Sequence, residues 1–178
     1  GSPGKDTSGN ETTAPESQIF ALKDASVGDF DISNAPVVGS GMFATIKVCC
    51  HKPSGVHYAI KCQSKTQLLN HNLQDHAAKE IDNHLASSSS SSNSNIAKLY
   101  GVFQDNHYIY HVVEYLEGGE LYDSLSKNGT LDITKARFYS ACYLLALKEM
   151  HARKIAYRDT KPENMCFDSQ GYLKLVDF

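Results

Sequence analysis

At 178 residues, with 41% apolar and 21% charged side chains, the chain has enough material for one domain with a sizeable core. Lys and Arg number 17 against 20 Asp and Glu, and the formal charge of −3 gives no footprint for nucleic acid. No apolar stretch has the length of a membrane span or the form of a signal peptide. The five cysteines, Cys49, Cys50, Cys62, Cys142 and Cys166, lack metal-type spacing, so structural thiols in an intracellular, cytoplasmic setting are expected, with the nucleus also open.

Residues from Gly1 to about Gln18 are rich in Gly, Ser, Thr, Pro and Glu and cannot bury enough surface to offset the entropy of ordering, so residues 1–29 read as a tail. Within it, Ile19 to Leu22 is open to either an anchored or a free reading. The folded part is expected to start near Phe30. Val37-Val38, then Gly39-Ser40-Gly41-Met42-Phe43, then Ala44 to Val48 reads as strand, glycine turn, strand. Two glycines one residue apart let backbone amides approach phosphate oxygens, although many hairpins carry the same pattern.

His57 to Lys61 is a short β-patterned run whose lysine lies 22 residues after Gly39. A lysine at the end of a half-buried strand under a glycine loop can reach phosphates if a carboxylate holds it, and Glu80 stands nineteen residues on, in a helix-like run from His71 to Leu85. Serines 87–92 form an unbroken run ending Asn93-Ser94-Asn95, and 87–95 reads as a loop insertion before a strand over Ile96 to Val102. Tyr108 to Leu116 is β-branched and aromatic throughout and predicts a strand. It leads into the turn Glu117-Gly118-Gly119-Glu120 and a short helix from Leu121. Asp132 to Arg153 predicts a long helix, with Phe138, Ala141, Cys142, Leu145 and Met150 at core spacing.

Tyr157-Arg158-Asp159-Thr160-Lys161-Pro162-Glu163-Asn164 follows, and Asp177-Phe178 comes thirteen residues after Asn164, beyond a hairpin of Met165-Cys166-Phe167 with Tyr172 to Val176. Asp159, Lys161 and Asn164 converge only if the backbone forms a tight loop, which Pro162 helps to impose. Such a point suits phosphoryl transfer: Asp159 to accept a hydroxyl proton, Lys161 to contact the γ-phosphate, Asn164 and Asp177 to hold Mg²⁺.

Together these strings resemble the protein kinases, with Tyr157 where most carry histidine and Ala44 where the third loop glycine is usual. The resemblance covers about Phe30 to Phe178. It implies an α+β kinase-like fold: a five-stranded antiparallel small lobe with a helix C over residues 30–113, a hinge over 114–120, and the first part of a helical large lobe over 121–178. It implies ATP and Mg²⁺ as cofactors and an ion pair between Lys61 and Glu80. Nucleotide would be covered by Val38, Gly39, Ser40, Gly41, Met42, Phe43, Ala44 and Ile46 and backed by Ala59 and Val113. Glu114 and Leu116 would offer backbone hydrogen bonds to adenine, Glu120 would lie near the ribose, and Cys166 and Val176 would floor the pocket.

Lys161 before Pro-Glu-Asn is the serine/threonine type. Tyr157-Arg158-Asp159, Gly118-Gly119-Glu120-Leu121 and Arg137 to Cys142 look like the AGC group, nearest the cyclic-nucleotide-dependent kinases and their cGMP-dependent branch. Glu120 and Glu163 match acids that recognise arginines upstream of the phosphorylated residue, and a cyclic-nucleotide-binding regulatory domain or subunit is an expected partner. Thr160, Cys166 and His84 depart from the usual apolar residues at positions that bear on nucleotide binding and helix docking. The remainder of a kinase is missing after Phe178, so the chain reads as a fragment, inactive by itself. A noncatalytic, pseudokinase-like module is the rival reading; the presence of Lys61, Glu80, Asp159, Asn164 and Asp177 speaks against it.

Overall fold

A computed structural model of the chain describes Leu22, residues 24–88 and residues 94–177. Residues 1–21, Lys23, residues 89–93 and Phe178 lie outside the described residues. Among the described residues, seven strands and four helices follow in order: β1 (Val37–Ser40), β2 (Ala44–Cys50), β3 (His57–Ser64), α1 (Lys65–Asn70), α2 (Gln74–Ser88), β4 (Leu99–Gln104), β5 (Tyr108–Glu114), α3 (Leu121–Asn128), α4 (Ile133–Ala152), β6 (Met165–Phe167) and β7 (Leu173–Leu175). The first five strands form one antiparallel sheet in the order β1-β2-β3-β5-β4, and β6 pairs with β7.

Side chains alternate across β3, the middle strand, and this alternation separates structure from chemistry. Tyr58, Ile60 and Cys62 enter a core with Cys49, Tyr110 and Val112. Ile60 and Val112 are fully buried, about 1.5–3 kcal/mol each relative to exposure. Ala59, Lys61 and Gln63 fall on the opposite face, towards α2 and the rest of the molecule. On α2, Ala77, Glu80, His84 and Ser87 recur at intervals of three and four and present one face to that layer.

Several boundaries differ from the expectation. Packing is already present at Leu22, ahead of Phe30: Leu22 joins the same core as Phe30 and Ile32, and a Cβ on Gly101 would lie 2.5 Å from the Leu22 carbonyl oxygen, so β4 admits this segment only because residue 101 is glycine. Val27–Asp29 then forms a 3-10 turn closed by Ser26 and Asp29. The helix expected from His71 starts three residues later. Asn72 takes φ 55°, a left-handed geometry that ends α1, and α2 starts at Gln74 and runs to Ser88. Ser87 therefore belongs to the helix; it is buried and donates to the Asn83 carbonyl.

The strand expected over Ile96 to Val102 starts at Leu99. The preceding segment instead joins β7: Ala97 N–H donates to Leu175 O and Leu175 N–H to Asn95 O, both at 2.9 Å. Glu114 is the last residue of β5, still paired with Tyr58, so the linker starts one residue later than expected.

In α4, capped by the Asp132 carboxylate on Thr134 N–H and Lys135 N–H, the buried stripe is Cys142, Ala146 and Met150. Phe138, Ala141 and Leu145 lie outside it. Phe138 and Leu145 are 42% and 56% exposed, because the described elements pack on one side of an otherwise apolar helix. No helix among the described residues is long and apolar enough to cross a membrane.

Candidate active site

Two charged groups form where the sheet, α2 and the β6–β7 hairpin meet. In the first, Lys61 Nζ donates to Glu80 Oε1 and to Asp177 Oδ1, each at 2.7 Å. β3 supplies the lysine, the buried face of α2 the glutamate, and the segment after β7 the aspartate. Burial alone would push the lysine pKa down; the carboxylates of Asp177 and Glu80 overcome this and hold it above the ordinary lysine value. Lys61 stays a cation aimed at the cleft.

The second group is the loop after α4. Pro162–Asn164 is a 3-10 turn that brings Asn164 back over Asp159. Asn164 Nδ2 donates to Asp159 Oδ2 at 2.8 Å and to Asp159 O at 3.1 Å, and Lys161 Nζ lies 2.8 Å from the same Oδ2. The hydrogen bonds from Lys161 and Asn164 keep the Asp159 carboxyl below its usual range, so it is ionised and able to accept. The loop is held from beneath by Tyr157, whose hydroxyl donates to Val176 O at 2.7 Å and to Asn164 O at 3.3 Å. Burial raises the Tyr157 phenol and keeps it a neutral donor. Arg158 and Asp177 take φ 65° and 56°, uncommon for residues with a side chain, as the loops turn into the site. Thr160, unusual in such a loop, has its hydroxyl 2.7 Å from Tyr143 OH of α4 and so ties the loop to the helix.

The residues expected around a nucleotide are distributed as a roof, a back and a floor. The roof is the β1–β2 hairpin with its turn at Gly41-Met42-Phe43, closed by Gly41 N–H on Ala44 O at 2.8 Å. Phe43 at the tip rests on His71, with ring centroids 5.0 Å apart, whereas Met42 is 79% exposed. Neither Gly39 nor Gly41 has a positive φ. An added Cβ would meet only Ile46 at 3.5 Å or Ala44 O at 3.8 Å, so the fold does not itself demand these glycines; their bareness leaves room for what approaches the loop. Ala44 sits in regular pairing with Gln63 and is accommodated as the first residue of β2. Val38 is exposed, and Ile46 is paired with Lys61.

Ala59 and Val113, cross-strand partners, form the back, and the linker with β6 forms the floor. Gly118 N–H donates to Phe167 O and Phe167 N–H to Gly119 O, each at 2.9 Å, and Glu120 bridges to Cys166. A Cβ on Gly118 would lie 2.5 Å from the Phe167 Cβ, so this approach requires glycine. Burial pushes the Cys166 thiol up to about 12 and keeps it a neutral, apolar element of that floor. Leu116 is buried, Val176 is half-buried, and Ser40 is exposed. Burial, with Asp123 and Glu163 nearby, raises the Glu120 carboxyl, which marks an acidic rim beside the linker.

For a magnesium ion, the donors that fit are oxygen atoms close to where phosphates would lie. Asp177 offers a partly exposed carboxylate, and Asn164 turns its nitrogen to Asp159, so the atom it can present to a cation is its amide oxygen. The chemistry of this pair suits the ion.

Two features escaped the sequence reading. Lys174, on a strand whose three residues are all buried, meets Glu114 Oε1 at 2.5 Å, while Glu114 Oε2 accepts from Lys98 N–H at 3.1 Å. A lysine between two leucines in a run that is buried throughout was the available signal. Gln63 and His111 lie buried behind Lys61 and were likewise visible only as polar residues in β-patterned runs. His84, a polar residue at a position that bears on the docking of α2, is accommodated: its Nε2 lies 2.8 Å from Ala97 O.

The protein kinase domain model matches residues 32–178. A cGMP-dependent protein kinase of Eimeria tenella is 40% identical over 157 residues, covering 88% of this chain and 15% of that protein. Its counterpart in Toxoplasma gondii is 39% identical with the same coverage, and a cAMP-dependent protein kinase catalytic subunit of Dictyostelium discoideum is 34% identical over 142 residues, 80% of this chain and 21% of that protein. The chain thus spans 15% to 21% of the length of these relatives. A family match that runs through the glycine turn, both charged groups and the linker between them admits one assignment: the chain belongs to the protein kinase domain family.

Proposed function

We propose that the chain is the nucleotide-binding lobe and catalytic loop of an ATP-dependent protein serine/threonine kinase. The observation that carries the reading is the pairing of a half-buried lysine, held at 2.7 Å by both Glu80 and Asp177, with a carboxylate and a lysine 2.8 Å apart in the adjoining loop. Bound magnesium would neutralise charge on the phosphates. The protein's own groups divide the remaining work. Lys61 meets the α- and β-phosphates, Lys161 meets the γ-phosphoryl oxygens, and Asp159 orients the substrate hydroxyl and takes its proton. Asn164 fixes the rotamer of Asp159 through Nδ2, which leaves its amide oxygen as the atom that would hold the metal.

Glu120 and Glu163 form the acidic rim that would receive arginines upstream of the target Ser or Thr. The similarity to cGMP- and cAMP-dependent kinases supports a cyclic-nucleotide-binding domain or subunit as regulator, in a cytoplasmic setting where all five cysteines remain free thiols. The test is phosphorylation of a basic peptide library by the full-length protein, with Lys61→Met and Asp159→Asn as controls. Transfer to Ser or Thr that is lost in both variants is expected. Retained transfer in Asp159→Asn would sink the catalytic-loop assignment, and saturable Mg-ATP binding without any transfer would favour a noncatalytic module.

A further inference from the structure

A buried polar chain runs behind the lysine. Gln63 on β3 and His111 on β5 are 5% and 1% exposed. The register places His111 directly across from Lys61, and Gln63 follows Lys61 by two residues, so all three share one face of the sheet. Gln63 Nε2 donates to Glu80 Oε2 at 3.1 Å, and Gln63 Oε1 lies 3.0 Å from His111 Nε2.

The chemistry sets the direction of every link. A carboxylate only accepts, so the amide nitrogen of Gln63 belongs on Glu80 and its oxygen on His111, which must then donate from Nε2. Burial lowers the His111 pKa to about 4, so the ring is neutral at physiological pH with its one proton on that nitrogen. Polar side chains at such depth are costly unless each is satisfied, and apolar residues of similar size would fill the space without that cost. Packing therefore gives no reason for Gln63 and His111; the group they act on is Glu80.

We propose that Gln63 and His111 are positioning residues for phosphoryl transfer: by holding Oε2 of Glu80 they aim Oε1 at Lys61 and fix the lysine where the nucleotide phosphates meet it. With Gln63 absent, the Glu80 carboxylate is free to rotate about its last torsion, and Lys61 is left to Asp177. The proposal rests on the kinase reading above.

The test compares kcat and ATP KM of the full-length protein with those of Gln63→Leu and His111→Met. A fall in kcat of about tenfold is expected for Gln63→Leu, the size of one lost hydrogen bond to a charged group, and of about fivefold for His111→Met, which loses a bond between neutral groups, with KM for ATP changed less than about threefold in both. His111→Gln, which restores an N–H donor, should recover most of the rate. In a Glu80→Gln background, Gln63→Leu should cause no further loss, because its effect passes through that carboxylate. Equal losses in both backgrounds, or a kcat within about twofold of the parent, would overturn the proposal. Proton NMR gives a second readout that is independent of catalysis. The Nε2 proton of His111 should exchange slowly in the parent and fast in Gln63→Leu. A fast-exchanging proton in the parent would refute the chain even if the protein phosphorylates nothing, whereas a protected proton in an inactive parent would leave the chain standing and remove the kinase reading.

Discussion

The two buried imidazoles of α2 and β5 make the protein's stability depend on pH in a calculable way. His84 on α2 and His111 on β5 would both titrate near 6.5 when exposed, and burial lowers each to about 4 in the fold. Other groups act on them more weakly than burial: Glu80 and Asp177 favour the charged form of both, Lys61 opposes it, and for His111 the neighbouring His84 opposes it as well. Between pH 4 and 6.5 the unfolded chain therefore binds more protons than the folded one, so stability is full above 6.5 and falls as the pH is lowered through this window. At pH 5 the loss integrates to about 2 kcal/mol for each histidine and about 4 kcal/mol for both, against a total of about 5–15 kcal/mol for a typical domain.

The assay is urea unfolding at pH 7.5 and pH 5.0, on the parent chain and on His84→Leu/His111→Met. The double variant forfeits the hydrogen bond from His84 to Ala97 O, but that penalty is present at both pH values and cancels in the difference. The parent should lose about 4 kcal/mol more than the variant on acidification. Carboxylates held low, such as Asp159, yield their protons below this window and do not confuse the comparison. Identical acid sensitivity in the two proteins would refute the claim that these rings are buried uncharged.

Three further outcomes follow from the geometry. Lys174→Met should cost about 3 kcal/mol in thermal unfolding, because it strands the Glu114 carboxylate in a nearly closed site, and Glu114→Gln in the same protein should restore most of it. Gly118→Ala should weaken Mg-ATP binding measured by calorimetry and cost about 1–3 kcal/mol, since its methyl would lie 2.5 Å from the Phe167 Cβ; unchanged affinity would mean that the linker is not seated on β6 as described. Replacing Glu120 and Glu163 with alanine should flatten the preference for upstream arginine in a peptide-library profile, with rates on peptides lacking arginine little altered.

What could be read in advance divides along one physical line. Asp159, Lys161 and Asn164 lie within six residues, so the turn that joins them is local and Pro162 announces it. Their convergence was legible in one string, as was the amphipathic stripe of α4 in outline. Long-range pairing was not. The segment before Leu99 looks like strand and is indeed hydrogen-bonded as one, but its partner is β7, and nothing near Ile96 signals a strand almost eighty residues on. The same limit hid Lys174, whose acid lies 60 residues away in the chain, and His111, whose glutamine lies 48 away. In each case the sequence showed a polar residue where an apolar one belongs, which implies a partner without naming it. The exposed side of α4 was misread for the converse reason: apolar periodicity tells which residues could pack, and only neighbouring elements decide which of them do.

The two charged groups are joined through one short stretch of backbone, and this bears on how the site would respond to its ligands. Asp177 takes the Lys61 ammonium at 2.7 Å on one side. On the other, Val176 N–H donates to Asn164 O at 3.1 Å and Val176 O accepts from Tyr157, so the residue before Asp177 is clamped to the loop that carries Asp159. A divalent cation bound by Asp177 and Asn164 would draw charge away from the Lys61 contact, because one carboxylate cannot neutralise both cations equally. Lys61 would then lean on Glu80 and on the phosphates. The grip on Glu80 from behind matters most in that liganded state, when its carboxylate is the remaining protein anion on the lysine. The unusual φ of 56° at Asp177 belongs to the same arrangement: it lets a residue anchored at Val176 by backbone bonds turn its side chain back towards β3, and so ties the loop that carries Asp159 to the lysine of β3 through one short segment.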